Sequence, residues 1–202
     1  MQAGGKFKPD LLISMSYKSL FTGFIITVLA VAGFGFTLAK LVKTKVTSDI
    51  TVSLPEILFP MTPEDIGQRF PSVRAPLGAY TTEDRVVDFS VNISATQWPE
   101  ADYEMTQKFF KSGIYNLYDK VDMIGEGIQE IHKKKFIYFE FDSRTNGDRR
   151  NPGNADPMLK YTYIQYLLEP GRTLVFTFSC PRDRKAEWQE TAREMMKSVH
   201  VK

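Results

Sequence analysis

Twenty consecutive residues without a charged side chain, Leu20 to Ala39 (LFTGFIITVLAVAGFGFTLA), dominate the hydrophobic pattern. At about 1.5 Å rise per residue, a helix of that length crosses roughly 30 Å, the thickness of a bilayer's hydrocarbon core. Being apolar on all sides, it suits lipid better than the interior of a small domain. The pattern predicts a short basic tail at 1–19 and one transmembrane helix at 20–42, with Leu20, Phe24, Leu29, Ala32, Gly35 and Ala39 on the anchor. A cleaved signal peptide competes, because Thr37-Leu38-Ala39 resembles a small-residue cleavage site. The run, however, starts late and exceeds the ~7–15 residues of a usual signal core. Gly35 and Ala39 form a small-x3-small pair of the kind that lets helices approach closely. Lys6, Lys8 and Lys18 before the span balance Lys40, Lys43 and Lys45 after it, so the lysines do not orient it. A short tail, one span and one domain suit a single-pass protein of the inner (cytoplasmic) membrane with its body in the periplasm.

Residues 43–75 read as a proline-rich tether. Leu54-Pro55, Phe59-Pro60, Thr62-Pro63, Phe70-Pro71 and Ala75-Pro76 interrupt helix and favour extended geometry before each proline. Ile57, Leu58, Phe59, Ile66 and Phe70 are too apolar for a free linker, so the tether is expected to pack along the body. Thr62-Pro63-Glu64-Asp65 supplies an N-cap, a proline at the first helical position and two acids in the first turn. A short helix at about 63–70 follows.

In the body, 76–202, Val87, Phe89, Val91 and Ile93 alternate with polar Asp88, Ser90, Asn92 and Ser94, the period of a half-buried strand. Tyr103, Phe110, Ile114 and Leu117 mark one stripe of an amphipathic helix. Val121–Ile124 and Ile128–Ile131 read as two strand pieces around Gly125 and Gly127, and Phe136–Phe141 as the strongest strand. Tyr161–Leu168 and Thr173–Cys180 flank the turn Glu169-Pro170-Gly171-Arg172 and predict an antiparallel hairpin. A last helix starting near Asp183 buries Trp188, Ala192, Met195, Met196 and Val199. The polar stretch Arg144–Pro157 reads as a long exposed loop. This order predicts an α+β domain, with helices covering a mainly antiparallel sheet.

Composition narrows the function. In 202 residues, 43% hydrophobic and 25% charged side chains describe a globular chain. One cysteine excludes an intramolecular disulfide framework and a multi-cysteine zinc site, and two histidines leave little for a histidine metal centre. Residues 1–45 carry six lysines against Asp10, whereas the remainder carries 20 basic and 23 acidic side chains. A slightly acidic body argues against nucleic-acid binding, which needs a basic face.

From Pro76 to Lys202 the chain resembles the PsbP-like family, whose relatives include an extrinsic photosystem II protein, DcrB-type bacterial lipoproteins and a Ran-binding eukaryotic branch. The resemblance rests on Val87-Asp88-Phe89, the Trp98 turn, Ser112-Gly113-Ile114, the Phe136–Phe141 strand, the run from Gly171 to Pro181, and the closing Met196-Lys197-Ser198-Val199. Trp98-Pro99 and Ala75-Pro76-Leu77 are also similar to membrane-anchored bacterial members of Bacteroidota type. The resemblance implies an α/β/α sandwich around an antiparallel sheet and brings no catalytic motif. The anchor sets this chain apart from the soluble photosystem subunit.

Candidate chemistry is sparse. Glu140 and Asp142 share a strand face at i, i+2 and could do acid–base work if one were buried. No nucleophile or glycine-rich loop accompanies them, and salt bridging is the simpler role. Cys180-Pro181 precedes a helix with Arg182 and Arg184 nearby, although a lone cysteine ending an apolar strand is usually packing. His132 sits among Lys133, Lys134 and Lys135, and His200 stands alone near the C-terminus. Asp148, Asn151, Asn154 and Asp156 lack calcium-loop spacing, and Arg149–Arg150 is too short a patch to stand out. No catalytic residue, metal or cofactor is expected. The expectation is a non-enzymatic accessory or assembly subunit of an integral membrane protein complex, with Leu54, Ile57, Leu58 and Phe59 as partner contacts. The alternative is a carrier module for a lipid or small ligand on an aromatic sheet face of Tyr138, Tyr161, Tyr163 and Tyr166. A hydrolase is the remote third reading.

Overall fold

The computed structural model describes residues 1, 40–71, 74–96, 98, 102–147 and 156–202. The expected anchor, from Leu20 to Ala39, lies outside the described residues, as do Asp148, Arg149, Arg150, Asn151 and Asn154. Among the described residues no helix is long and apolar enough to cross a membrane. The described residues from Lys40 to Lys202 belong to one compact unit.

Two sheets organise this unit. The smaller one joins β1 (Leu41–Lys45), β2 (Ile50–Pro55) and β10 (His200–Val201) in the order β1-β2-β10. The larger one contains β3 (Phe59–Pro60), β4 (Gly78–Thr81), β5 (Asp88–Ile93), β6 (Lys120–Ile131), β7 (Lys134–Thr145), β8 (Met158–Glu169) and β9 (Arg172–Pro181). Its order is β3-β4-β5-β9-β8-β7-β6, and every pairing in both sheets is antiparallel. Among the described residues the α-helices are α1 (Pro63–Arg69), α2 (Tyr103–Leu117) and α3 (Lys185–Lys197).

The proline-rich segment is built into the domain, which corrects the expected tether at 43–75. Residues 41 and 42 begin a strand, so the expected transmembrane helix cannot extend to 42 as drawn. Thr51, Val52 and Ile50 favour extended geometry, and Ile50, Val52 and Leu54 point every second residue into the core at 2% exposure or less. β10 then pairs with β2, bringing the C-terminal residues beside the start of the domain. The short helix forms as its residues dictate. Thr62 caps it, accepting from the Asp65 amide at 3.2 Å while the Asp65 carboxylate accepts from the Thr62 amide, a reciprocal capping box.

Strand alternation explains the layers. Phe136, Tyr138 and Glu140 of β7 face one side of the large sheet, and Ile137, Phe139 and Phe141 face the other. On the first side α3 and the small sheet cover a core containing Phe89, Tyr161, Phe176, Phe178, Trp188 and Met195. On the second side α2 covers Ile137, Phe139, Phe141 and Leu168, with Phe110 stacked on Tyr166 at 3.9 Å between ring centroids. Phe139 has no exposed surface, and full burial of such a side chain is worth about 1.5–3 kcal/mol.

Two details differ from the sequence pattern. The strand pieces around Gly125 and Gly127 are one twelve-residue strand, β6, whose register shifts between Met123 and Gly125. Such a bulge accommodates an extra residue without ending the pairing. Leu117 does not join the buried stripe of α2 but is 67% exposed. The helix ends there, and Tyr118, already extended, places its ring 5.7 Å from Phe141 instead.

Candidate functional site

The strand-face carboxylates are committed to holding α3. Glu140 is 4% exposed and accepts from the Tyr161 hydroxyl at 3.0 Å, from Gln189 at 2.5 Å, and from two nitrogens of Arg193 at 3.0 and 3.1 Å. Asp142 accepts from Lys185 at 2.8 Å. All three helical partners lie on α3, so the i, i+2 pair fastens that helix to the sheet. Burial, with Glu140 beside it, pushes the Tyr161 phenol well above its ordinary value, which removes it as an acid–base group near neutrality.

Cys180 is fully buried at the end of β9. Burial pushes its thiol up to about 12, outweighing the opposite pull of Arg184, so the thiolate needed for reactivity is not formed. The cysteine packs, as its apolar strand suggests.

The four tyrosines do not share one open face. Tyr138 lies across from Gln165, so it shares a side with Tyr161 and Tyr163, whereas Tyr166 lies across from Ile137 on the opposite side. Tyr161, Tyr163 and Tyr166 are buried at 0%, 4% and 8% exposure. Both sides of the sheet carry a helix at this point, so these rings are core.

The proposed contact residues divide in the same way. Leu54 and Leu58 are core residues at 2% and 6% exposure, correcting the expectation that they face a partner. Ile57 and Phe59 are 49% and 53% exposed. They line an open cleft of about 440 Å³ with Thr82, Glu83, Asp84 and Arg184. The cause is the turn after β2, where the Leu58 amide donates to the Pro55 carbonyl at 3.0 Å and carries Ile57 outward. Leu41 pairs with Pro55, and Lys40 bonds to Glu56 at 2.7 Å. The exposed apolar pair therefore sits beside the first residues of the domain.

Nothing in the sequence relates the two histidines. The β6–β7 turn and β10 bring them together, with ring centroids 5.2 Å apart and planes nearly perpendicular. They share a cavity of about 530 Å³ with Lys43, Ser53, Glu194 and Lys197. Nothing local links positions 132 and 200, because the β10–β2 pairing creates the contact. Among the described residues, no three His, Cys, Asp or Glu side chains converge to hold a metal ion.

Among solved structures, the chain is similar to cyanobacterial PsbP (CyanoP) from Synechocystis sp. PCC 6803, with 13% identity and a TM-score of 0.54 over 84% of this chain and 96% of that one. It is also similar to the Saccharomyces cerevisiae Ran-binding protein Mog1p, with 12% identity and a TM-score of 0.51 over 81% and 96%. LpqN, involved in cell envelope biogenesis of Mycobacterium tuberculosis, aligns with 11% identity and a TM-score of 0.52 over 80% and 90%. No family sequence model matches the chain, and no curated protein matches it in sequence. The shared property is the fold, an α+β arrangement of antiparallel sheets of the PsbP-like kind. The overlap is longer than the 76–202 body, in keeping with the strands found at 41–60.

Proposed function

We propose that this PsbP-like domain is a non-enzymatic accessory or assembly module, held at a membrane by the apolar run at 20–39 and docked on an integral membrane partner through Ile57 and Phe59. The observation that carries the reading is the placement of these two exposed side chains. Through the Leu41–Pro55 pairing they flank the residues that directly follow the apolar run. A partner sharing the bilayer would meet that surface first, and an anchor raises local concentration without any added contact. A handful of well-packed anchor residues dominates a protein interface. The commitment of Glu140, Asp142 and Cys180 to structure supports the non-enzymatic reading. A bacterial inner-membrane location with a periplasmic body belongs to the same proposal, supported by the uncharged run and its short basic tail.

The test is recovery of the native protein in mild detergent, followed by identification of co-purifying membrane proteins. An Ile57→Ser, Phe59→Ser double variant is expected to stay folded and membrane-bound while losing the partner. Ala32→Arg is expected to abolish membrane recovery, since a central arginine costs ~2.5–3.5 kcal/mol on insertion scales. Wild-type chain recovered in the soluble fraction and beginning at Lys40 would refute the anchor, and partner recovery unaffected by the double variant would refute the docking surface.

A further inference from the structure

Among the described residues, the side of the large sheet that carries α2 is only partly covered. A helix is about 10 Å wide and neighbouring strands are about 4.8 Å apart, so one helix covers roughly two to three strands of seven. α2 packs over β6, β7 and β8. On the same side β9, the central strand, presents Thr177 and Ser179, and β5 presents Asp88 and Ser90 across from them. These polar positions floor a cavity of about 570 Å³, within the usual range for small-molecule sites.

Its walls carry cations. Arg69 and Arg85 stand on one side, and Lys160 stands on the other at the start of β8. Arg69 is a clamp: it bonds to the Asp88 carboxylate, which neutralises the one acid lining the cavity, and donates to the Arg85 carbonyl at 2.8 Å. Arg85 lies in a left-handed turn (φ 58°), its amide donating to the Thr82 carbonyl at 2.8 Å. Arg85 touches Asp65 at 3.6 Å through one nitrogen only, leaving its other donors for the cavity. The Lys160 ammonium and the Thr177 and Ser179 hydroxyls have no hydrogen-bond partner among the described residues, although all three side chains are half-buried.

We propose that this cavity binds a phosphomonoester. Donors arrive from both walls and from the floor, which suits a tetrahedral group with three terminal oxygens better than a planar carboxylate. Three cations and one acid line the pocket, and with Asp65 beside Arg85 the local excess is one positive charge, which favours an anion. Phe70, Val86 and Met158 at the rim would contact the less polar part of the ligand. This inference does not rest on the membrane reading above.

The experiment is calorimetric titration of the full chain in detergent with glycerophosphate, with short-chain phosphatidic acid kept below its micelle concentration, and with glycerol as the uncharged control. Saturable binding of at least one phosphate probe is expected, with none for glycerol. Affinity should fall about tenfold or more in Lys160→Gln and in Thr177→Val at an unchanged melting temperature, since a hydrogen bond to a charged group is worth about 1.5–3 kcal/mol. Tighter binding of glycerophosphate assigns a soluble ligand, and tighter binding of phosphatidic acid assigns a lipid headgroup; either supports the site. Absence of saturable binding by both phosphate probes, or wild-type affinity in both variants, overturns it.

Discussion

Glu140 on β7 and Arg193 on α3 meet in a two-pronged ion pair, Nε to one carboxylate oxygen at 3.1 Å and Nη2 to the other at 3.0 Å. The partners are 53 residues apart in sequence. Tyr161 and Gln189 add two further donors to the same carboxylate. The geometry converts a pair of acids that resembles chemistry into a fastener between helix and sheet.

Glu140→Gln should therefore lower stability by about 1.5–3 kcal/mol, the range for hydrogen bonds to charged groups. Arg193 is about one third exposed, and solvent screening keeps the loss below the ~3–5 kcal/mol of a fully buried broken pair. The check is the denaturant midpoint, together with partner recovery, which should not change. A hydrolytic activity lost in this variant would contradict the non-enzymatic reading.

Trp188 is 2% exposed against Phe178, with ring centroids 5.7 Å apart. Trp188→Ala should cost about 3–5 kcal/mol through the cavity it leaves beneath α3. Equilibrium unfolding followed by circular dichroism measures it, and an unchanged midpoint would mean that α3 is not held through this ring.

Adjacent positions in the turn after β2 should behave oppositely. Leu58→Ser is expected to destabilise by at least about 2 kcal/mol because it places a hydroxyl in the core. Ile57→Ser and Phe59→Ser, at exposed sites, should stay within about 0.5 kcal/mol of wild type. Thermal melts of the three single variants separate the outcomes, and equal losses at all three would show that the turn is wholly buried.

Asp49 gives a pH signature. The Thr47 hydroxyl, then Arg172, hold its carboxyl at about 2 against an ordinary 3.8. A pKa depressed in the folded state stabilises fully above the unfolded value of about 3.9 and is lost as pH falls through the folded one. Between about pH 4 and about pH 2 the wild-type urea midpoint should fall more steeply than that of Asp49→Asn. Parallel slopes for the two proteins would show that Thr47 and Arg172 do not hold the Asp49 carboxyl down in solution.

Local chemistry determined much of this protein without tertiary help. Thr62-Pro63-Glu64-Asp65 caps a helix because side chain and backbone meet within four residues. The alternation at 88–93 makes a strand, and Pro170-Gly171 closes the β8–β9 hairpin with Gly171 at φ 81°. Trp188, Ala192, Met195, Met196 and Val199 are buried as their spacing implies. The fold class follows from such short-range signals added along the chain.

Only the tertiary structure decided which exposed-looking groups have partners. Prolines at 55, 60 and 63 suggest a tether, but β10 supplies β2 with a strand partner nearly 150 residues away, and Ile50, Val52 and Leu54 of β2 join the core. The same closure joins His132 to His200. Tyr161 and Tyr166 belong to opposite sides of a doubly covered sheet, and Leu58 and Phe59 part company at one turn. Burial depends on what lies across a strand or above a face, and neighbours in sequence carry no record of contacts closed over such distances.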